Sequence, residues 1–339
     1  MREINQKQKI AILSILRDAR EPVGSDAIAK DLHQFGYDLS SRTIRLYLQE
    51  MEEEGLVTPA RRGRDGGRTI TLQGSEEIRD ALVKDRVGYT ASKVDMLACQ
   101  CTFDPTTRQG VIALNITLID TALLLSAIHE LTQVFTAGLG MGDYVYIARA
   151  GERVGNFYIP PGKVGIGTIC SVTLNGILLR ARIPIISCFG GVLEIQDKTP
   201  IRFTDIIYYN GTSLDPLEIF IKGGLTQVRS AARLGNGRIG AGFREIPTVA
   251  VKKTLQVLQQ LKTIGIGGIA LVGKPNHALL GFPVEDGRTA LIVNGGLNPT
   301  AALEEAGIPT SNYALCTLFE FSQMIHYKEL TNIVLEKDY

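Results

Sequence analysis

Residues 110–140 read GVIALNITLIDTALLLSAIHELTQVFTAGLG, and residues 237–267 read GRIGAGFREIPTVAVKKTLQVLQQLKTIGIG. At a constant offset of 127, without gaps, Gly110 matches Gly237, Leu131 matches Leu258, and Gly138 and Gly140 match Gly265 and Gly267. Each copy reads as a strand, an amphipathic helix, a glycine helix stop and a second strand. The apolar helix faces are Leu124, Ile128, Leu131 and Phe135 in the first copy, and Val251, Leu255, Leu258 and Leu261 in the second. The likeness continues with small gaps. A strand at Val164–Val172 leads into Leu174-Asn175-Gly176, a helix and Ile183-Pro184; Thr289–Val293 leads into Leu297-Asn298-Pro299, a helix and Ile308-Pro309. Asn175 and Asn298 read as helix N-caps, with Pro299 at the first helical position. Each copy closes on a cysteine-containing strand, Ile185–Ile195 and Tyr313–Phe321. The order βαββαβ is that of the ferredoxin-like plait. The expected fold is therefore α+β, its body made of two duplicated ferredoxin-like modules at about 110–195 and 237–322, joined by 196–236.

Ahead of the repeat, residues 38–72 read DLSSRTIRLYLQEMEEEGLVTPARRGRDGGRTITL. A helix capped by Ser40 or Ser41, buried through Ile44, Tyr47, Leu48 and Met51, ends at Gly55. Leu56-Val57-Thr58 and Thr69-Ile70-Thr71-Leu72 alternate as paired strands around an arginine loop. With helices expected at Ile4–Ala19 and from Ser25 to Phe35, this is the outline of a winged helix-turn-helix. Ser40, Ser41, Arg42, Thr43 and Arg45 would face the major groove, where arginine grips guanine and hydroxyls bind phosphate or base. Arg61, Arg62, Arg64 and Arg68, against Asp65, give the wing a charge of +3, suited to phosphates or the minor groove. The domains follow as a winged helix at 1–75, a connector at 76–95 and a regulatory domain at 96–339, with double-stranded DNA as partner.

The 339 residues carry 45% apolar and 21% charged residues and a net charge of +1, ordinary for globular domains with real cores. Cys99, Cys101, Cys170, Cys188 and Cys316 are odd in number and scattered, which reads as free thiols in a reducing compartment. No metal spacing, P-loop or dinucleotide fingerprint is present in the sequence, so neither cofactor nor metal is expected. No apolar run approaches the length of a bilayer span, and a cytoplasmic protein is expected.

The stretches between elements in the first copy and its linker supply hydroxyls, glycine amides and the cations Arg182 and Arg202. That set suits a small carboxylate ligand. Thr168, Ser171, Thr173, Asn175, Ser187, Arg202, Thr204, Thr212 and Ser213 are the expected pocket residues. Sensing is favoured over catalysis; the competing readings are an enzyme acting on a 2-oxo acid with a fused winged helix, and a winged helix used for protein assembly.

With those residues in view, the chain resembles the archaeal nitrogen repressor family of methanogens. The resemblance covers nearly the whole length and rests on the winged helix, on GTICSVTLNGILLRARIPIISCFGGVLEIQDKTPIRFTDIIYYNGTSLDPLEIF and on NGGLNPTAALEEAGIP. It implies a non-enzymatic repressor of nitrogen-assimilation and nitrogen-fixation operons that binds a palindromic operator as a homodimer or higher oligomer. It implies 2-oxoglutarate as the inducer that releases the DNA. Some relatives carry two regulatory domains after the winged helix. This chain has room for one, so a second protein carrying further regulatory domains also enters as a partner.

Overall fold

Ser40 adopts extended backbone and its hydroxyl accepts a hydrogen bond from the Thr43 amide, which starts the third helix of the N-terminal unit one residue later. The structure, a computed structural model, describes residues 5–19, 21–34, 36–58, 67–80, 88–155 and 157–332. The chain divides into an N-terminal unit, Met1–Val87 with Asn156–Tyr158, and a body, Gly88–Gly155 with Ile159–Tyr339. In the first, α1 (Gln6–Ala19), α2 (Ser25–Gln34) and α3 (Ser41–Glu53) close on a core of Ile12, Leu13, Leu16, Ile28, Leu32, Ile44, Leu48 and Met51. The wing's base is narrower than alternation suggests: Val57 bridges Ile70 and Val23 bridges Arg68, with no longer ladder among the described residues.

Leu72 does not end a strand. It opens α4 (Leu72–Asp80), whose Ile78 belongs to the same core. The expected boundary at residue 75 thus falls inside a helix. The expected connector at 76–95 contains the rest of α4 and the start of α5 (Tyr89–Gln100), whose Val94, Leu97 and Ala98 are buried in the body. One apolar residue per turn in a charged segment is a weak sequence signal, and tertiary packing supplies most of a short helix's stability.

After α5 the chain runs through β1 (Val111–Asp120), α6 (Leu124–Thr136), β2 (Tyr144–Ala148), the two-residue strands β3 (Arg153–Val154) and β4 (Phe157–Tyr158), β5 (Lys163–Ile169), α7 (Val172–Arg180), β6 (Ile186–Gln196) and β7 (Thr199–Tyr208). It continues with α8 (Pro216–Lys222), α9 (Val228–Leu234), β8 (Gly237–Pro247), α10 (Val251–Thr263), β9 (Ile269–Val272), β10 (Arg288–Asn294), α11 (Asn298–Glu305), β11 (Ser311–Glu320) and β12 (Ile325–His326). Gly138 and Gly265, with φ of +67° and +73°, follow α6 and α10 at matching places in the two repeats.

Two antiparallel five-stranded sheets result, in the orders β11-β1-β5-β2-β12 and β7-β6-β8-β10-β9. This corrects the expectation of two self-contained modules. The place beside β1 is held by β11, from the second repeat, and the place beside β8 by β6, from the first. The repeats trade their last strands. The reason the sequence conceals this is physical: alternation records which face a strand buries, not which neighbour it pairs with.

Helices follow the trade. Leu303 of α11 packs with Leu124, Leu131 and Phe135 of α6 over the first sheet, and Lys253 of α10 donates to the Ala181 carbonyl at the end of α7. Where the repeats meet, the loop after β10 presses on the loop after β5. A Cβ on Gly296 would lie 2.3 Å from the Ile169 carbonyl oxygen and 3.1 Å from the Cys170 Cα. Gly296→Ala should therefore destabilise the body by about 1–3 kcal/mol, seen as a Tm lowered by several degrees in calorimetry. An unaltered Tm would mean the two loops do not abut.

Candidate effector site and DNA face

Arg244 stands in mid-β8 and is 1% exposed, among the largest fully buried side chains of the protein. Its Nη1 donates to the Ser171 carbonyl at 2.8 Å and to Asn175 Oδ1, and its Nη2 donates to Ser171 Oγ at 2.7 Å. Its Nε has no partner. Asn175 Nδ2 in turn donates to Ser187 Oγ at 2.9 Å, and Ser187 lies opposite Arg244 in the β6–β8 ladder. One guanidinium thus gathers β8 of the second repeat with α7 and β6 of the first.

All of its hydrogen-bond partners are neutral. The titratable groups that act on it are Tyr209, Cys170 and Cys188; the carboxyl of Asp215 acts on Cys170 and Tyr209 but not on Arg244 itself. Burial pushes the Cys170 thiol up to about 11 and the Cys188 thiol up to about 12, and raises Tyr209 further, so none supplies an anion near neutral pH. Desolvation also depresses Arg244 itself, but a guanidinium stays protonated in proteins. A buried cation without a counterion is costly. Such an arrangement suits an anion that arrives from outside.

Beside this cluster is a cavity of about 20 Å³ lined by Asn115, Cys170, Ser171, Tyr209, Asp215 and Gly296 among others. That is room for one water, far less than a dicarboxylate. Asp215 caps α8, accepting from the Leu217 amide at 2.9 Å, and Glu218 one turn on accepts from the Ala314 amide. Burial raises Asp215 to about 6; burial and then the Asp215 charge raise Glu218 to about 7.

The nine residues expected to form the pocket separate into groups. Ser171, Asn175 and Ser187 meet at Arg244. Thr173 is buried and pins α7 to β1: its hydroxyl accepts from the Ala113 amide at 3.1 Å and donates to the Ala113 carbonyl at 3.0 Å. Thr168 is buried on β5 with a hydroxyl that has no partner. Thr212 closes a turn on Leu214, and Ser213 sits in that turn, just before Asp215. Arg202 and Thr204 lie elsewhere. Both are on edge strand β7, where Arg202 is 68% exposed and donates to Glu194 Oε2 at 2.7 Å, and Thr204 donates to Asp205 Oδ2 at 2.8 Å. They line an open cleft of about 540 Å³ with Gln196, Gln227 and Arg238. Arg182, after α7, has left-handed backbone and is absent from the Arg244 cluster.

Asn175 and Asn298 are not N-caps. Helix α7 starts at Val172 and α11 at Asn298, so both amides fall within helices. Buried there, they hold the strands: Asn298 Oδ1 accepts from the Gly240 amide at 2.8 Å, as Asn175 accepts from Arg244. Sequence reasoning missed Arg244, Tyr209, Asp215 and Glu218. A signal for Arg244 did exist. In the ungapped repeat it stands at the place of Thr117, a charge at a position whose counterpart is a core residue.

On the N-terminal unit, α3 presents Arg42 and Arg45 to solvent with Ser40 exposed beside them, while Ser41 and Thr43 are half-buried. Arg68 is engaged elsewhere: its Nε and Nη2 donate to Glu52 Oε2 at 2.9 and 2.6 Å, so its charge is already balanced. Arg61, Arg62 and Arg64 lie outside the described residues.

The fold defines a winged-helix protein with a body of two interlocked sheets. Comparison with known proteins gives the family. The model of "NrpR regulatory domains NRD1 and 2" matches residues 87–326, and that of the "Ribonuclease R winged-helix domain" matches residues 10–78. A protein of Methanosarcina mazei named global nitrogen regulator NrpRI is 35% identical over 319 residues, 94% of this chain and 97% of that one. The global nitrogen regulator NrpR of Methanococcus maripaludis is 30% identical over 93% of this chain, which spans only 54% of that relative. A crystal structure of a nitrogen repressor-like protein from Methanococcus jannaschii matches with a TM-score of 0.60 and 33% identity, over 70% of this chain and 97% of that one. The chain belongs to the NrpR family of nitrogen regulators. No helix among the described residues is long and apolar enough to cross a membrane.

Proposed function

We propose that the chain is a cytoplasmic transcriptional repressor of nitrogen-assimilation and nitrogen-fixation genes that binds a palindromic operator as a dimer and is released by 2-oxoglutarate. The observation that carries the effector half is Arg244: a buried cation whose hydrogen-bond partners are all neutral, at the junction of two interlocked repeats. A carboxylate of the ligand would balance it. The adjacent cavity holds a water at most, so entry requires the loops at Cys170-Ser171 and Gly295-Gly296 to part. Ligand binding would thereby favour a different arrangement of the repeats, and induction follows if that arrangement disfavours DNA. The DNA half rests on the exposed Arg42 and Arg45 at the start of α3.

The test is operator binding titrated against 2-oxoglutarate in gel-shift assays. A complex that forms without ligand and dissolves as ligand rises is expected; one insensitive to 2-oxoglutarate refutes the effector assignment. If Arg42 reads a base, Arg42→Ala should cost about 1–3 kcal/mol and relax preference at one operator position. Uniform weakening on every sequence would reassign it to phosphate.

A further inference from the structure

The two sheets place corresponding residues in the same register, which allows the Arg244 site to be compared with its counterpart. Arg244 pairs with Ser187 on one side and Leu291 on the other; Thr117 pairs with Asn312 and Ile166. Thr117 is therefore the structural counterpart of Arg244, and Asn312 that of Ser187. The chemistry of the two positions differs completely. Thr117 Oγ1 donates to Asn312 Oδ1 at 2.7 Å, Asn312 Nδ2 to Thr310 Oγ1 at 2.9 Å, and Thr310 Oγ1 to Glu304 Oε1 at 2.6 Å. Lys222 completes the chain by pairing with Glu304. Every group in that relay has its partner within the protein, and its one carboxylate already has a cation.

We propose that each chain takes a single carboxylate-bearing effector, at Arg244, and that the Thr117 position is a duplicate closed by its own side chains. The inference rests on the effector reading above and deepens it. An anion brought to Arg244 meets an uncompensated charge and a free Nε–H. Brought to Thr117, it meets only neutral side chains, and the carboxylate of Glu304, three hydrogen bonds away, is already paired with Lys222. The first sheet does hold an orphan, the Thr168 hydroxyl opposite Asn115. A hydroxyl carries no charge for an anion to balance, so it creates no second site. Ligand closure would then act on one side of an otherwise near-twofold body, and the binding residues would come from both repeats.

Isothermal titration of 2-oxoglutarate into the full-length protein decides this. One ligand per chain is expected, with affinity lowered at least a hundredfold in Arg244→Gln and changed less than threefold in Thr117→Val. Thermal unfolding of each variant confirms that it is folded. If Arg244→Gln does not fold, Arg244→Lys keeps the charge but loses the fork, and a loss of at least tenfold is expected. Two ligands per chain or loss of binding in Thr117→Val would overturn the inference and leave the Arg244 effector reading in place. Unchanged affinity in the Arg244 variant would overturn the inference and the Arg244 site together, leaving only 2-oxoglutarate as a ligand. A wild-type protein that gives no binding at all would overturn both.

Discussion

Replacing Arg244 by methionine is expected to weaken 2-oxoglutarate binding at least a hundredfold while changing the stability of the ligand-free body by no more than about 2 kcal/mol. These effects separate because the same charge acts oppositely in the two states. Without ligand, the guanidinium has been removed from water and has only neutral partners: the carbonyl and hydroxyl of Ser171 and the amide of Asn175. Replacement of buried charges by apolar side chains of similar volume is often neutral or stabilising. Acceptors left at Ser171 and Asn175 offset part of that gain, so a net change within about 2 kcal/mol is expected. With ligand, the guanidinium faces a carboxylate in a water-poor setting. Losing one member of such a pair costs about 2–5 kcal/mol, and a hundredfold loss of affinity lies in the lower half of that range. Calorimetric titration and urea unfolding read the two quantities independently. A methionine variant that loses more than about 3 kcal/mol of stability would make Arg244 a structural strut, and the anion-site assignment would fall.

The stability of the wild type relative to an Asp215→Asn, Glu218→Gln double variant should fall as pH rises from about 4 to 7. Both carboxyls have folded pKa values above their ordinary ones, about 6 and about 7, chiefly because burial disfavours the charged form. A raised carboxyl binds its proton more tightly in the folded chain. The stability this contributes is complete below about pH 4 and is lost as pH rises through 6 for Asp215 and 7 for Glu218. At about 1.4 kcal/mol per pKa unit, each group accounts for roughly 3 kcal/mol across its interval. The amides keep the bonds that matter, since Asn can still accept from the Leu217 amide and Gln from the Ala314 amide. Glu130 and Glu304 shift the opposite way, drawn down by Arg229 and by Lys222. For that reason the quantity to measure is the difference in urea midpoint between wild type and double variant at each pH. A difference that stays flat from pH 4 to 8 would show that the two carboxyls are ordinarily solvated.

Much of the N-terminal unit was legible because its signals are local. Ser40 caps α3 through an interaction three residues long, and the helix buries Ile44, Tyr47, Leu48 and Met51 at helical spacing. The wing arginine Arg68 was less so. Its pairing with Glu52 links α3 to the wing, and nothing in the spacing of 16 residues announces it. In the body, Ser171, Asn175 and Ser187 were found by their concentration between elements. Arg202 was drawn in by the same reasoning and is separated from them because β7 turns it outward to Glu194.

By itself the sequence determined that the body is a duplication. A strand, a helix and a glycine stop repeat at offset 127, and each element's buried face follows from its own periodicity. Only the tertiary structure decided how the copies combine. The last strand of each repeat completes the other's sheet, which brings Ser171, Asn175 and Ser187 of one copy around Arg244 of the other. Periodicity is a property of one segment, whereas strand pairing and charge balance depend on segments distant in the chain, as Ser187 and Arg244 are. A cation reads as solvated in sequence, and it becomes a site only when the fold removes its water without supplying an anion.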